Sequence, residues 1–341
     1  MSNLTMGLAI LGGVVLAGVV AHSAWTSRRN APRLAEPTPA EPASDGPGPG
    51  PQEPILDESP LPLSSPEKRP GLDALIDVIA PMALEAPVSG EAALAALPST
   101  RRAGSKPFAI EGLNESSQQW EVPSPGRRYT AFQAGVQLAN RTGALNEIEY
   151  SEFVMKAQAF ADAVAGEPEF PEMLDEVARA RELDQFASGH DAQLGFTLRA
   201  RSAAWSPGFV QQHAAKLGFV AGVIPGRMVL PASVAGAPPI LVLTFDTHAA
   251  MSEDPAQSAL RELVLSLDVP QVQRSEQPFV RMREVAITLA ASMDGSITDD
   301  RGQIIRAEAL DAIGADLEQL YDTLEARDLA AGSPLARRLF S

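Results

Sequence analysis

From Leu4 to Trp25 the chain runs 22 residues without one Asp, Glu, Lys or Arg. That covers the roughly 20 apolar residues a helix needs to cross about 30 Å of hydrocarbon. The length predicts a transmembrane helix at 4–25, with Met1-Ser2-Asn3 as a short tail outside. A cleaved secretory signal is the competing reading. It would carry a basic leader and a shorter apolar core, whereas Met1-Ser2-Asn3 offers only the amino terminus. Arg28, Arg29 and Arg33 follow the span, and an excess of basic residues marks the cytoplasmic side. The expected topology is N-terminus out and C-terminus in. Trp25 suits the interfacial aromatic belt, and His22 can stay neutral or reach the interface. Ala9, Gly13, Ala17 and Ala21 fall every fourth residue, a small-residue stripe along which a second copy of the helix can pack as a homodimer.

Residues 26–70 read as a linker. Twelve prolines stand between Ala31 and Pro70, with Gly46-Pro47-Gly48-Pro49-Gly50-Pro51 at the centre and little apolar surface. A flexible chain of about 40 residues has an r.m.s. reach of about 35 Å, and Pro-rich stiffening extends it. Ile55 to Leu63 places apolar residues between prolines, which reads either as a docking motif or as ordinary linker sequence.

A net charge of -16 argues against phosphate-rich partners, because an acidic surface repels nucleic acid and anionic lipid. The absence of cysteine removes disulfides, thiolate catalysis and Cys-type zinc sites. His190, His213 and His248 lack metal-like spacing, and neither a phosphate loop nor a Gly-x-Ser-x-Gly elbow occurs. The chain is therefore expected to be a binding protein, without catalytic residues, metal or cofactor.

Beyond Pro70 apolar periodicity persists to about Leu329, enough for a sizeable core. Leu194 to Arg199 alternates like a half-buried strand, and Ile240 to Phe245 is a β-branched run after Pro238-Pro239. Ser206-Pro207 opens a short helix over 208–217, and Pro278 opens a longer one that ends at Asp294-Gly295. Ile297 and Ile304-Ile305 flank a turn at Asp299-Asp300-Arg301-Gly302, and Ala307 to Ala326 closes as an amphipathic helix. This order predicts an α+β fold, an antiparallel sheet with helices on one face. The expected division is 71–187, then 188–330, then a tail at 331–341. Leu72, Leu75, Ile76 and Ile79 also keep helical spacing, which leaves strand and helix both open for that opening segment.

The segment from Phe279 through Met293-Asp294-Gly295-Ser296-Ile297-Thr298-Asp299-Asp300-Arg301 to Ile304-Ile305 resembles the ZipA family of bacterial cell-division proteins. So does the order of span, basic patch, Pro-rich linker and C-terminal domain. The resemblance implies that 188–330 holds six strands and three helices and binds the C-terminal tail peptide of FtsZ on its open sheet face. It implies attachment of the Z ring to the inner membrane at the division septum, and no catalysis. Carrying the family's groove onto matching positions gives Phe196, Leu198, Met228, Leu230, Leu243, Phe245 and Val264, while the family's aromatic on the fourth strand is replaced by Ser266. The opposite parity, Gly195, Thr197 and Arg199, competes with Phe196 and Leu198 for that face. A membrane-anchored adaptor for another cytoplasmic envelope or division partner is the alternative function.

The region from Leu72 to Phe186 also echoes the later one. Ser89-Gly90 matches Ser206-Pro207-Gly208, Phe132 to Leu138 matches Ile240 to Phe245, and Phe153 to Gly166 matches Phe279 to Gly295. This pattern predicts a degenerate duplication, with two unrelated α+β segments as its rival.

Overall fold

The computed structural model describes residue 33, residues 71–252 and residues 258–341. The expected span, its Ala9, Gly13, Ala17 and Ala21 stripe and the Ile55–Leu63 segment lie outside the described residues, as does all of the linker except Arg33. Among the described residues no helix is long and apolar enough to cross a membrane. Those residues form two α+β bodies built on antiparallel sheets.

The first body takes residues 71–192, 269–274 and 318–341. Its opening segment is a turn, closed by the Ile76 and Asp77 N–H groups donating to the Asp73 carbonyl, and the strand begins only at Asp77. The elements that follow are β1 (Asp77–Ser89), α1 (Gly90–Ala96), β2 (Arg102–Ala103), β3 (Lys106–Asn114), β4 (Trp120–Glu121) and β5 (Arg128–Gln137). A small hairpin, β6 (Ala139–Asn140) with β7 (Gly143–Ala144), leads to α2 (Glu147–Val164), β8 (Gly166–Pro168) and α3 (Met173–His190). Asn146 starts α2 with a capping box, its side chain accepting from the Ile148 and Glu149 N–H groups while Glu149 reaches back to the Asn146 N–H.

Alternation along the strands puts Val78, Ala80 and Met82 of β1, Phe108 and Ile110 of β3, and Phe132, Ala134 and Val136 of β5 on one buried face. There α2 covers them, with Phe132 edge-on to Phe160 at 5.0 Å and Phe108 to Phe153 at 6.1 Å. Each buried aromatic ring contributes about 2 kcal/mol by removal from water. Gly112 admits the Tyr129 ring, since a Cβ there would lie 2.4 Å from Tyr129 Cδ1.

The second body takes residues 193–252, 258–268 and 275–317, with Arg33. Its elements are β9 (Gln193–Ala200), α4 (Pro207–Ala215), β10 (Val220–Ala221), β11 (Arg227–Leu230), β12 (Leu241–Thr244), α5 (Thr247–Met251), β13 (Glu262–Asp268), α6 (Pro278–Met293), β14 (Gly295–Thr298) and the start of α7 (Ala307–Glu325). The α6 side chains cover one sheet face, Phe279 meeting Phe196 at 6.4 Å. Trp205 is fully buried, its indole N–H donating to the Met293 carbonyl at 2.7 Å. Arg33 pairs with β-bridge partner Trp205 and places its guanidinium 3.0 Å from Asp294.

Both sheets share one strand order. The first runs β3-β5-β1-β8 and the second β12-β13-β9-β14, every neighbour antiparallel. In each, the first strand lies between the strand that precedes the long helix and the short strand that follows it. This is the split βαβ arrangement. The long helices match residue for residue: Tyr150 with Phe279, Phe153 with Met282, Ala157 with Ala286, Phe160 with Leu289 and Val164 with Met293 are all buried.

Two expectations need correction. The counterpart of Phe132–Leu138 is β13 and not the Ile240–Phe245 strand, because the strand paired with the opening strand defines the equivalence. Residues 331–341 are not a loose tail: α8 (Pro334–Leu339) folds there, Leu339 and Phe340 are buried, and Arg338 reaches Asp77 at 2.5 Å.

Candidate functional site: the helix-free face of the second sheet

A strand covered by helices on one side must present its alternate residues on the other. Register fixes which ones. Phe196, Leu265, Leu243 and Met228 stand in one cross-strand row, and Leu198 and Leu263 in the next. Phe279 of α6 packs on the first row, so these rows lie beneath the helices.

The opposite parity faces away from them. Val220, Val229, Val242, Ser266 and Gly195 form one row, and Thr244, Val264 and Thr197 the next. Val264 is 37% exposed and Val220 50%, while Val229, Val242, Thr197 and Thr244 are half-buried. Beyond them Arg199 and Glu262 form an exposed ion pair at 3.4 Å. The surface is therefore β-branched and apolar across its middle, with charge at one end.

At the β10–β11 edge this face runs into a hollow of about 500 Å³, lined by Val223, Ile224, Val229, Val234, Ala237 and Pro239 among others. Val223 is fully exposed, and Ile224 and Val234 are more than half exposed. Glu276 holds the loop that forms one wall: its carboxylate accepts from the Ser233 N–H and hydroxyl, each at 2.9 Å. The bond from the Ser233 backbone holds the Glu276 carboxyl below its ordinary range, with the Ser233 hydroxyl and Arg281 acting in the same direction.

Of the residues carried over from the resemblance, Val264 alone is exposed on this face. Phe196, Leu198, Met228, Leu243 and Phe245 are between 0% and 8% exposed and belong to the core; Leu230 shares the parity of Met228. The correction has a plain cause. The strands are apolar on both faces, so composition did not give the parity, and the large side chains went under the helices. Val220, Val229 and Val242 were missed for the same reason. The signal that could have found them is Gly195, Thr197 and Arg199: an arginine on a middle strand is tolerated only away from the covering helices.

Two of the histidines are engaged within their own helices. His190 and His213 contact the carbonyls one helical turn earlier, at 2.7 and 2.9 Å; His190 stacks on Phe186, and His213 sits tilted against Phe209. Asp299 works within its turn, its carboxylate accepting from the Arg301 and Gln303 N–H groups. Among the described residues no group of three or more His, Asp or Glu could hold a metal.

No protein-family model and no curated protein matches this chain. A solved structure of a single-site variant of berberine bridge enzyme aligns at 10% identity over 78% of this chain and 56% of its own, with a TM-score of 0.17 that carries no argument.

Proposed function

We propose that this chain is a membrane tether in bacterial cell division, whose second body takes the C-terminal tail of FtsZ as an extended segment on its helix-free sheet face. The observation that carries the reading is that face: a valine-rich surface that no helix among the described residues covers, continuous with an apolar hollow. Apolar surface of this kind marks interaction sites, and extended peptides use sheet surfaces and edges. Burial at about 25 cal/mol per Å², less the cost of ordering the tail, gives modest affinity. A polymeric partner then supplies strength through avidity. The span at 4–25 would hold the chain in the inner membrane at the septum, N-terminus periplasmic, and the stripe at Ala9, Gly13, Ala17 and Ala21 would pair two copies. Shared strand order and matched long helices favour descent of the two bodies from one duplicated segment.

The test is recruitment. Vesicles carrying the full chain should sediment with FtsZ polymers, and polymers lacking the tail should stay in solution. Equal recruitment of both would favour the second reading, an adaptor for another division or envelope partner, which the exposed Arg199–Glu262 pair also suits.

A further inference from the structure

Arg227 continues the row of Thr244, Val264 and Thr197 on the second sheet. It pairs with Thr244 across β11 and β12, Thr244 pairs with Val264, and Val264 with Thr197, so Arg227 shares the parity of the exposed Val264. The side chain is exposed, and its stem runs over Gly222, where a Cβ would lie 3.4 Å from Arg227 Cγ. It also lines the hollow at the β10–β11 edge. The other described residues of that lining are alanine, glycine, proline, valine and isoleucine, so Arg227 brings the one charge to it.

That charge has no answer within the fold. Among the described residues no carboxylate pairs with Arg227, whereas Arg199 on the same face is matched by Glu262 at 3.4 Å. Asp246, two residues on from Thr244, turns its carboxylate back to the His248 and Ala249 N–H groups. The Ser266 and Thr298 hydroxyls donate to the Val242 and Thr197 carbonyls of their own sheet, at 3.3 and 3.2 Å. The face therefore offers apolar surface with one free cation, in a chain whose net charge is -16. A guanidinium flanked by apolar walls holds a carboxylate more strongly than one in open water.

We infer that Arg227 reads a carboxylate on the docked segment, so that this face selects an extended chain with Asp or Glu beside an apolar residue. The hollow is apolar on both flanks of Arg227, from Val223 and Ile224 to Val229 and Val234. The segment therefore continues past the cation, and its acid is a side chain and not a chain end. The inference rests on the proposal that this face takes a peptide tail, and adds the sign of the charge that the tail carries next to its apolar anchor. An acidic surface repels such a segment in general, so Arg227 decides the choice of partner.

The test is peptide selection by the full chain. Heptapeptides of random sequence, displayed through their C-terminal end so that no free carboxylate remains there, should be enriched in Asp or Glu beside an apolar residue. Arg227→Glu should keep the melting temperature and reverse the selection to Lys or Arg beside an apolar residue. Arg227→Gln should bind the acidic peptides about fivefold more weakly, the size of one exposed ion pair, and with less dependence on salt. Val264→Glu should abolish the selection. No enrichment, enrichment without acid, the same acidic enrichment by Arg227→Glu, or acidic peptides that still bind Val264→Glu overturns the inference. The FtsZ tail separates the two readings. Tail binding that Val264→Glu loses and Arg227→Gln keeps in full sinks the charge reading alone; a chain that leaves the tail free yet selects acidic peptides through Arg227 sinks the FtsZ reading alone.

Discussion

Ala165 and Asp294 hold the same left-handed backbone, φ 53° and 54°, at the same point of their two bodies, where the long helix ends and a glycine opens the next strand. In both, the cap N–H donates back to an alanine carbonyl, of Ala161 or Ala290. An L-residue pays about 1–2 kcal/mol for that conformation, and glycine does not. Ala165→Gly should therefore stabilise the chain by about 0.5–1 kcal/mol after glycine's entropy in the unfolded state is subtracted. Asp294→Gly should bring no gain, because it also removes the bond from Ser202 and the ion pair with Arg33. Urea unfolding of both variants checks the contrast.

Position on the sheet should decide what a carboxylate does. Phe245 is 8% exposed, so Phe245→Glu places a charge in the core and should cost more than about 4 kcal/mol, enough to unfold the second body. Val264→Glu, on the exposed parity, should change stability by no more than about 0.5 kcal/mol. Thermal melts distinguish the two directly.

Lys106 is 1% exposed, and its ammonium donates to Asn140 Oδ1 at 2.8 Å, to Thr142 Oγ1 and to the Gly143 carbonyl, tying β3 to the β6–β7 hairpin. Burial pushes its pKa down. Lys106→Met should cost about 3 kcal/mol, since it strands buried acceptors, and faster amide exchange in residues 139–144 should accompany the loss.

Glu276 gives a pH dependence with a definite sign. Its folded pKa lies below the ordinary 4.5, so its stabilisation is present above pH 4.5 and is lost as the pH falls through the lowered value. Glu276→Gln should be less stable than the unaltered chain at neutral pH, and the gap should close in acid. Urea midpoints at neutral pH, near the ordinary glutamate value and well below it measure the effect. A gap that widened in acid would contradict the Ser233 bonds as its source.

The α+β class, the strands at 194–199 and 240–245, and the helix from Pro278 to the Asp294-Gly295 stop were legible in the sequence, because proline, glycine and strict alternation leave little local choice. Parity was not legible. Leu241-Val242-Leu243-Thr244 is apolar on both sides, and only the Phe196–Phe279 contact, far apart in the chain, says which side is covered. The closing segment escaped for a related reason: Ser333-Pro334 is a sound helix start, yet what buries Leu339 and Phe340 is the docking of that short helix through bonds such as Gln271 to the Phe340 carbonyl at 2.7 Å. The spacing of Leu72, Leu75, Ile76 and Ile79 leaves strand and helix both open, and the packing of Leu72 against Gly135 shows only in the fold.

The most direct test of the tether reading is fluorescence anisotropy of a labelled FtsZ tail peptide titrated with the full chain and with its Val264→Glu variant. Saturable binding that Val264→Glu loses while keeping its melting temperature is the predicted result. A folded chain that leaves the peptide free, or a Val264→Glu variant that binds it as well as the unaltered chain, would contradict the account.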